Sequence, residues 1–417
     1  MNNKNIRRRV AWVMAFVLVV CVLCGCDGRA KKNEKESLKL PDQVTVVAES
    51  KTIKGSPVAI SAQDASPVAA FSQQLMEQAL KEARNMGAEN VVLSPVSIYL
   101  ALLVTASVES ADQQASFEQV LSMPKQQWLT TGEQWMRQLN WEKEGAKVRA
   151  SNSMWLDEGI SMEQEVLDQL AGKLSTDVYQ GDLQGEQIVE AINAWVDHKT
   201  EGMIQKFRQD PYDQEVMRSI LNAVYMEGKW LDEFSPSDVR EKIFYTADGK
   251  EVTTAFLTDF LCRHRYVKTE EMDGVVLPYR DGNLAFVALR PIKGQGVDAL
   301  LNSLGPSDWR EISTGAIDTL MDFSMPKFTV EYQQTLNDVL ADMGVSLQMG
   351  IGQKVKIQVD EEGTKAAAVT EVTAAGAIQV TEDPIQVHLD HPFVYSVIDL
   401  VTGVPLFVGV MDQPVQE

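Results

Sequence analysis

The sequence predicts one large α+β domain behind an N-terminal export segment. Three observations lead there. Apolar residues recur at helical spacing in the first half of the chain, β-rich runs separated by Asp-Gly pairs fill the second half, and no repeat or internal linker divides them.

The chain begins with Lys4, Arg7, Arg8 and Arg9, followed by an apolar run of 14 residues from Val10 to Leu23. That is signal-peptide length and too short for an ordinary membrane-spanning helix, so residues 1–25 read as a signal peptide. Leu23-Cys24-Gly25-Cys26 resembles the bacterial lipobox, in which the last cysteine is lipidated and becomes the mature N-terminus. Several acyl chains on Cys26 would hold the protein on a membrane, whereas one chain binds only marginally. A plain secretory signal is the competing reading. Of the four cysteines, Cys21 and Cys24 leave with the signal and Cys26 carries lipid, so Cys262 stands alone and no intramolecular disulfide is expected. An exported chain without disulfides relies on its core, and the remaining 392 residues suffice to build one. The formal net charge of −21 becomes −25 when the signal's four basic and no acidic residues are removed. A charge of that size repels nucleic acid and anionic polysaccharide.

From Asp27 to about Gln63 the sequence is polar and lacks sustained periodicity, so residues 26–63 are expected to form a flexible tether, with a short strand around Val44 to Val47 as the alternative. The domain is expected over residues 64–417. Val68, Phe71, Leu75, Ala79 and Ala83 share one helical face and predict an amphipathic first helix. Ser94-Pro95 then places a capping hydroxyl before a proline at the first helical position. Asp248-Gly249, Asp273-Gly274 and Asp281-Gly282 read as turns between strands such as Leu284 to Leu289.

One stretch near the C-terminus organises the rest. Val359 to Ile378 reads V-D-E-E-G-T-K-A-A-A-V-T-E-V-T-A-A-G-A-I. Thr364, Ala366, Ala368, Thr370, Val372 and Ala374 fall in one alternation phase, and both long charged side chains, Lys365 and Glu371, fall in the other. In a strand, successive residues face opposite sides, so this segment could lie in a sheet with only small or apolar groups buried. Its ends, Glu361-Glu362-Gly363 and Gly376 with Asp383-Pro384, are turn and loop residues. The residues therefore permit both an exposed loop and an inserted strand, and an Ala/Thr-rich surface loop or a short helix is an equal reading of this window alone.

Catalytic chemistry has little support. The four histidines, His198, His264, His388 and His391, form no H-E-x-x-H motif, and no nucleophile elbow or phosphate-cradling glycine loop is present. Cys262 lacks a recognisable catalytic setting, and Asp360, Glu361 and Glu362 read as a solvated turn. No enzyme activity, metal or cofactor is expected.

The segment V-D-E-E-G-T-K-A-A-A resembles the reactive-centre hinge of the serpins, and five further signatures follow the family order. They are Asn90 with Ser94-Pro95 and Ser97-Ile98; Ala191 to Val196 with Thr200, Gly202 and Ile204; and Leu221 to Tyr225 with Gly228, Trp230 and Phe234. The last two are Met325 to Phe328 with Leu336, Val339, Leu340, Met343 and Gly344, and His391-Pro392-Phe393 with Thr402-Gly403, Leu406-Phe407 and Gly409. Together they span roughly Phe71 to Pro414.

The resemblance implies a serpin fold: a central, mostly antiparallel sheet, further sheets, eight or nine helices and an exposed reactive-centre loop over about residues 361–385. It also implies a serine-protease inhibitor that offers the loop as substrate, is cleaved to a covalent acyl complex, and inserts the loop as a new strand. Glu361, Gly363, Thr364, Ala366, Ala367 and Ala368 would form the hinge. Fourteen residues beyond Gly363 the reactive bond falls at Ala377-Ile378. Small residues there suit elastase-like proteases, with subtilisin-like enzymes second. Ser94, Ser97 and Asn222 match the region where the sheet opens, and Trp230 matches the top where insertion begins. Gln353 stands where many serpins have a histidine, and Val369 replaces the usual alanine on the outward phase. A monomer is implied, anchored through Cys26 in a bacterial cell envelope at the outer membrane or cell surface. The alternatives are a non-inhibitory serpin-fold lipoprotein acting as a binding module and an unrelated acidic surface lipoprotein.

Overall fold

The computed structural model describes residues 38–51, 60–292, 294–347, 349–364 and 383–415. All elements below belong to the unit Leu40–Glu417. Among the described residues it holds nine α-helices, six of them before residue 200, and strands in two sheets.

The first helix, Ala62–Asn85, buries Val68, Phe71, Leu75, Ala79 and Ala83, the predicted face. Ser61 caps it, its Oγ accepting from the Asp64 N–H at 3.1 Å. The next helix, Pro95–Val108, is buried at every position from Pro95 to Ala106. A helix apolar all round belongs inside a core rather than on its surface. This one packs against Arg218–Lys229 of the first sheet and Pro405–Met411 of the second. Pro95 occupies the first helical position as expected, but Ser94 makes no side-chain cap bond. Its backbone is instead gripped from another strand, as described below.

The first sheet has eight strands and is mostly antiparallel. Its central strands are Ala146–Leu156 and Arg218–Lys229, followed after a gap by Gly350–Val359 and Phe328–Thr335. Along Gly350–Val359 burial alternates residue by residue, as in a strand with one face on the core. The second sheet runs through nine strands and includes the buried hairpin Phe393–Asp399 and Pro405–Met411.

Two sequence expectations need correction. Asp248-Gly249 and Asp281-Gly282 are turns with positive φ at glycine, but Gly274 lies inside the strand Met272–Pro278. A Cβ there would sit 2.0 Å from the Ala288 carbonyl oxygen, so this glycine serves close strand approach instead of a turn. Within the stretch expected as a tether the alternative reading holds: the short strand offered around Val44 to Val47 is the edge strand Thr45–Ala48, antiparallel to Thr176–Gln180. Its valines supply the β propensity, and the open sheet edge supplies the bonding partners.

A buried carboxylate fastens that segment. Asp177 accepts from Ser50 N at 2.8 Å and Trp195 Nε1 at 2.9 Å, and pairs with Lys199 Nζ at 2.9 Å. It thereby joins the N-terminal strand to the helix Glu186–Lys199. Burial alone would raise the Asp177 carboxyl, but Lys199 and the N–H donors outweigh it and hold the group below the usual carboxylate range. Such a group contributes stability that is present above its unfolded pKa of about 4 and is lost as pH falls through its lower folded value. Asp177→Asn should therefore lose about 2 to 4 kcal/mol at neutral pH. In thermal melts the difference from wild type should shrink below about pH 4; a pH-independent gap would contradict this assignment.

Candidate functional site

The site lies between the strands Arg218–Lys229 and Gly350–Val359. At one end they pair directly and in parallel, Gly350 with Ser219 and Ile351 with Ile220. At the other end the two-residue strand Gly363–Thr364 sits between them, Gly363 opposite Lys229, Thr364 opposite both Gly228 and Val359. Between these ends the two strands have no pairing with each other among the described residues. The stretch between these ends is the slot, and Gly363–Thr364 is the strand at its open end.

Several side chains hold the hinge in that position. Trp230 donates its backbone N–H to Glu362 O at 3.0 Å and its indole Nε1 to Asp360 O at 2.8 Å. The indole stacks on Tyr279 with ring centres 4.9 Å apart and planes 8° from parallel. Tyr279 OH in turn shares a 2.5 Å hydrogen bond with Thr364 Oγ1, so the hinge threonine is buried with its hydroxyl satisfied. The Asp360 carboxylate accepts from the N–H groups of Glu362 and Gly363 at 3.0 and 3.2 Å, fixing the turn. Glu361 is paired with Lys327, and its carbonyl accepts from Phe234 N at 3.0 Å. Burial would raise the Glu361 carboxyl, but Lys327 outweighs it and holds the group below its usual range. At Gly363 a Cβ would lie 2.0 Å from the Gly228 carbonyl oxygen, so only glycine permits this close approach.

Deeper in the slot two polar clasps cross an otherwise apolar core. Gln353, on one wall, accepts from Ser94 N at 2.7 Å and donates to Ser94 O at 3.1 Å. Its carboxamide thus ties the wall to the start of the central helix. On the other wall Ser97 Oγ donates to Asn222 Oδ1, Asn222 Nδ2 to Asn152 Oδ1 at 2.6 Å, and Asn152 Nδ2 to Leu174 O at 2.6 Å. All four side chains in these clasps apart from Ser94 are buried and bonded.

Of the sequence-nominated residues, Ser94, Ser97, Asn222 and Gln353 meet at the slot's middle, and Glu361, Gly363, Thr364 and Trp230 meet at its open end. Ala366, Ala367, Ala368, Ala377, Ile378 and Cys26 lie outside the described residues. Asn152, Tyr279 and Lys327 were missed. Lys327 stood within a recognised signature without a role, whereas Asn152 and Tyr279 lie far from the hinge in sequence and no local pattern marks them. Cys262, the one cysteine among the described residues, is pushed up to about 12 by burial and by the nearby Asp259, which leaves it a poor nucleophile. His391 stacks on Tyr245 with ring centres 5.0 Å apart, a packing role.

Comparison with known proteins covers this whole region. A family model described as "Serpin (serine protease inhibitor)" matches residues 66–414. Iripin-3 of Ixodes ricinus is 25% identical over 379 residues, spanning 84% of this chain and 96% of its own. The thermophilic serpin tengpin in its native state superposes with a TM-score of 0.78 at 26% identity, covering 89% of this chain and 100% of that one. Tengpin in its latent state, also 26% identical, gives 0.69 over 84% and 97%. The chain is therefore more similar in shape to the native form than to the latent one.

Gln353→Leu removes both bonds to the Ser94 backbone and leaves a buried N–H without its partner. It should lower stability by about 1 to 3 kcal/mol. The midpoint of chemical unfolding measures this, and an unchanged midpoint would show that the clasp contributes nothing.

Proposed function

The chain belongs to the serpin family, and from that premise we propose that it inhibits serine endopeptidases with shallow specificity pockets, elastase-like enzymes first and subtilisin-like enzymes second. In this reading the protease cleaves Ala377-Ile378 and is held as an acyl complex. The cleaved segment then enters the slot behind Thr364, dragging the protease with it. Displacement spoils the oxyanion-hole geometry that deacylation depends on, so the acyl bond persists.

The observation that carries this reading is the hinge itself. Gly363 and Thr364 occupy the first position between two walls that have no pairing further along among the described residues. The residues that would follow into the buried phase, Ala366 and Ala368, are small. Each new ladder bond would contribute about 0.5 to 1.5 kcal/mol net, so ten or more of them suffice, at roughly 10 kcal/mol, to drive a large displacement. The choice of protease rests on the small residues before Ile378, where a trypsin-like enzyme would require Arg or Lys.

The same reading places the protein as a lipoprotein of a bacterial cell envelope, exported by residues 1–25 and anchored through Cys26. The lipobox-like Leu23-Cys24-Gly25-Cys26 supports it, together with the short apolar run before it. Among the described residues no helix is long and apolar enough to cross a membrane.

Incubating the chain lacking residues 1–26 with an elastase-type protease should give a covalent band that survives denaturing electrophoresis and a released peptide beginning at Ile378. Complete cleavage without such a band by both elastase-like and subtilisin-like enzymes would favour the non-inhibitory binding module. Thr364→Arg, which would bury an unpaired charge, and Ala366→Pro, which would remove a ladder donor, should each convert the inhibitor into a cleaved substrate. Undiminished complex formation by both variants would exclude strand insertion.

A further inference from the structure

Away from the hinge, a cleft of about 720 Å³ opens beside the connection between the strands Glu251–Lys268 and Met272–Pro278, lined also by residues of the helices Val297–Ser303 and Asp308–Gly315. Its volume is that of a site for an organic molecule of ordinary ligand size. Met272, Leu304 and Ile312 line it as buried apolar side chains, and Tyr266 contributes an aromatic one. Ile317 also lines it and is 70% exposed, the highest exposure of any large hydrophobic residue described. An apolar side chain left in water beside a concave surface gains from being covered.

The polar lining is one-sided. Glu270, Glu271, Asp308 and Glu311 bring four carboxylates to the cleft, against the single ammonium of Lys268. No ion pair to any of these five groups is present among the described residues, while Asp308 accepts from the Gly305 N–H at 2.7 Å. No arginine or histidine lines the cleft, so Lys268 is its one cationic side chain against four carboxylates. Apolar lining within an anionic collar complements a molecule with an apolar body and a cationic head.

We infer that this cleft binds small amphiphilic cations, aromatic or alkyl amines that place the ammonium group among Glu270, Glu271 and Glu311 and cover Ile317 with the apolar body. The exposure of the carboxylates makes the electrostatic part modest and sensitive to salt. The inference is independent of protease inhibition, since the cleft shares no residue with the slot or the hinge.

Isothermal titration calorimetry of the intact protein with tryptamine, against indole-3-propionate as the anionic counterpart, tests it. Saturable one-to-one binding of tryptamine alone is expected, weakening as salt is added. Two variants then locate it. Glu270→Gln with Glu271→Gln should weaken binding about fivefold through the loss of two exposed charge interactions. Gly315→Trp should abolish it, because a Cβ at this lining glycine meets nothing within 4 Å and the indole can fill the cleft. Thermal melts matching wild type show that both variants are folded, and the exposed Gln pair remains informative if the Trp variant is not. Absence of saturable tryptamine binding overturns the inference. So does equal binding of the anion, or binding undiminished in both variants, which would trace the effect to the protein's overall negative charge.

Discussion

The backbone bonds that Gly363 and Thr364 make between Gly228-Lys229 and Val359 are the constraint on which the rest of the molecule depends. Two strands of one sheet are joined at Gly350-Ile351 and held apart at the other end by a two-residue wedge. Between those ends the two strands have no pairing with each other among the described residues, so a further strand bonded to both would add ladder bonds. The surroundings of the wedge keep it in register: the Trp230 and Tyr279 stack, the Asp360 turn and the Lys327 pair on Glu361.

Widening the slot would strain the polar clasps beneath it. Gln353 and the chain from Ser97 through Asn222 to Asn152 are buried amid apolar side chains, where each polar group is costly unless bonded. Such groups specify a single arrangement more than they add stability, because shifting either wall breaks several bonds together. Gln353 holds the backbone N–H and C=O of Ser94 at once, because a carboxamide both accepts and donates, and so bridges its strand to the central helix.

The edges of the molecule have their own constraints. The N-terminal strand is welded to the first sheet through Asp177, so chain expected to be tether is part of the fold from Thr45 to Ala48 and bonded through Ser50 and Lys51. On another face, the collar of carboxylates around Ile317 concentrates part of a large negative charge beside exposed apolar surface.

The sequence by itself determined the strongest local periods. Helical spacing from Val68 to Ala83 identified the first helix, and alternation of small residues after Gly363 marked a potential strand, because each depends on a period of 3.6 or 2 read along a short stretch. The resemblance of the ordered signatures nominated Ser94, Ser97, Asn222, Trp230 and Gln353 for one region of the first sheet. Tertiary structure alone decided which atoms meet. Gly274 is a crossing point instead of a turn because of the Ala288 carbonyl, and Thr45 to Ala48 takes the strand alternative because an edge lies beside it. Asn152 and Tyr279 join the site across 70 and 85 residues of chain. Partners so far apart leave no periodic trace: Asn152 meets Asn222 only when Ala146–Leu156 pairs with Arg218–Lys229, and Tyr279 meets Thr364 only when the chain has folded the hinge beside it.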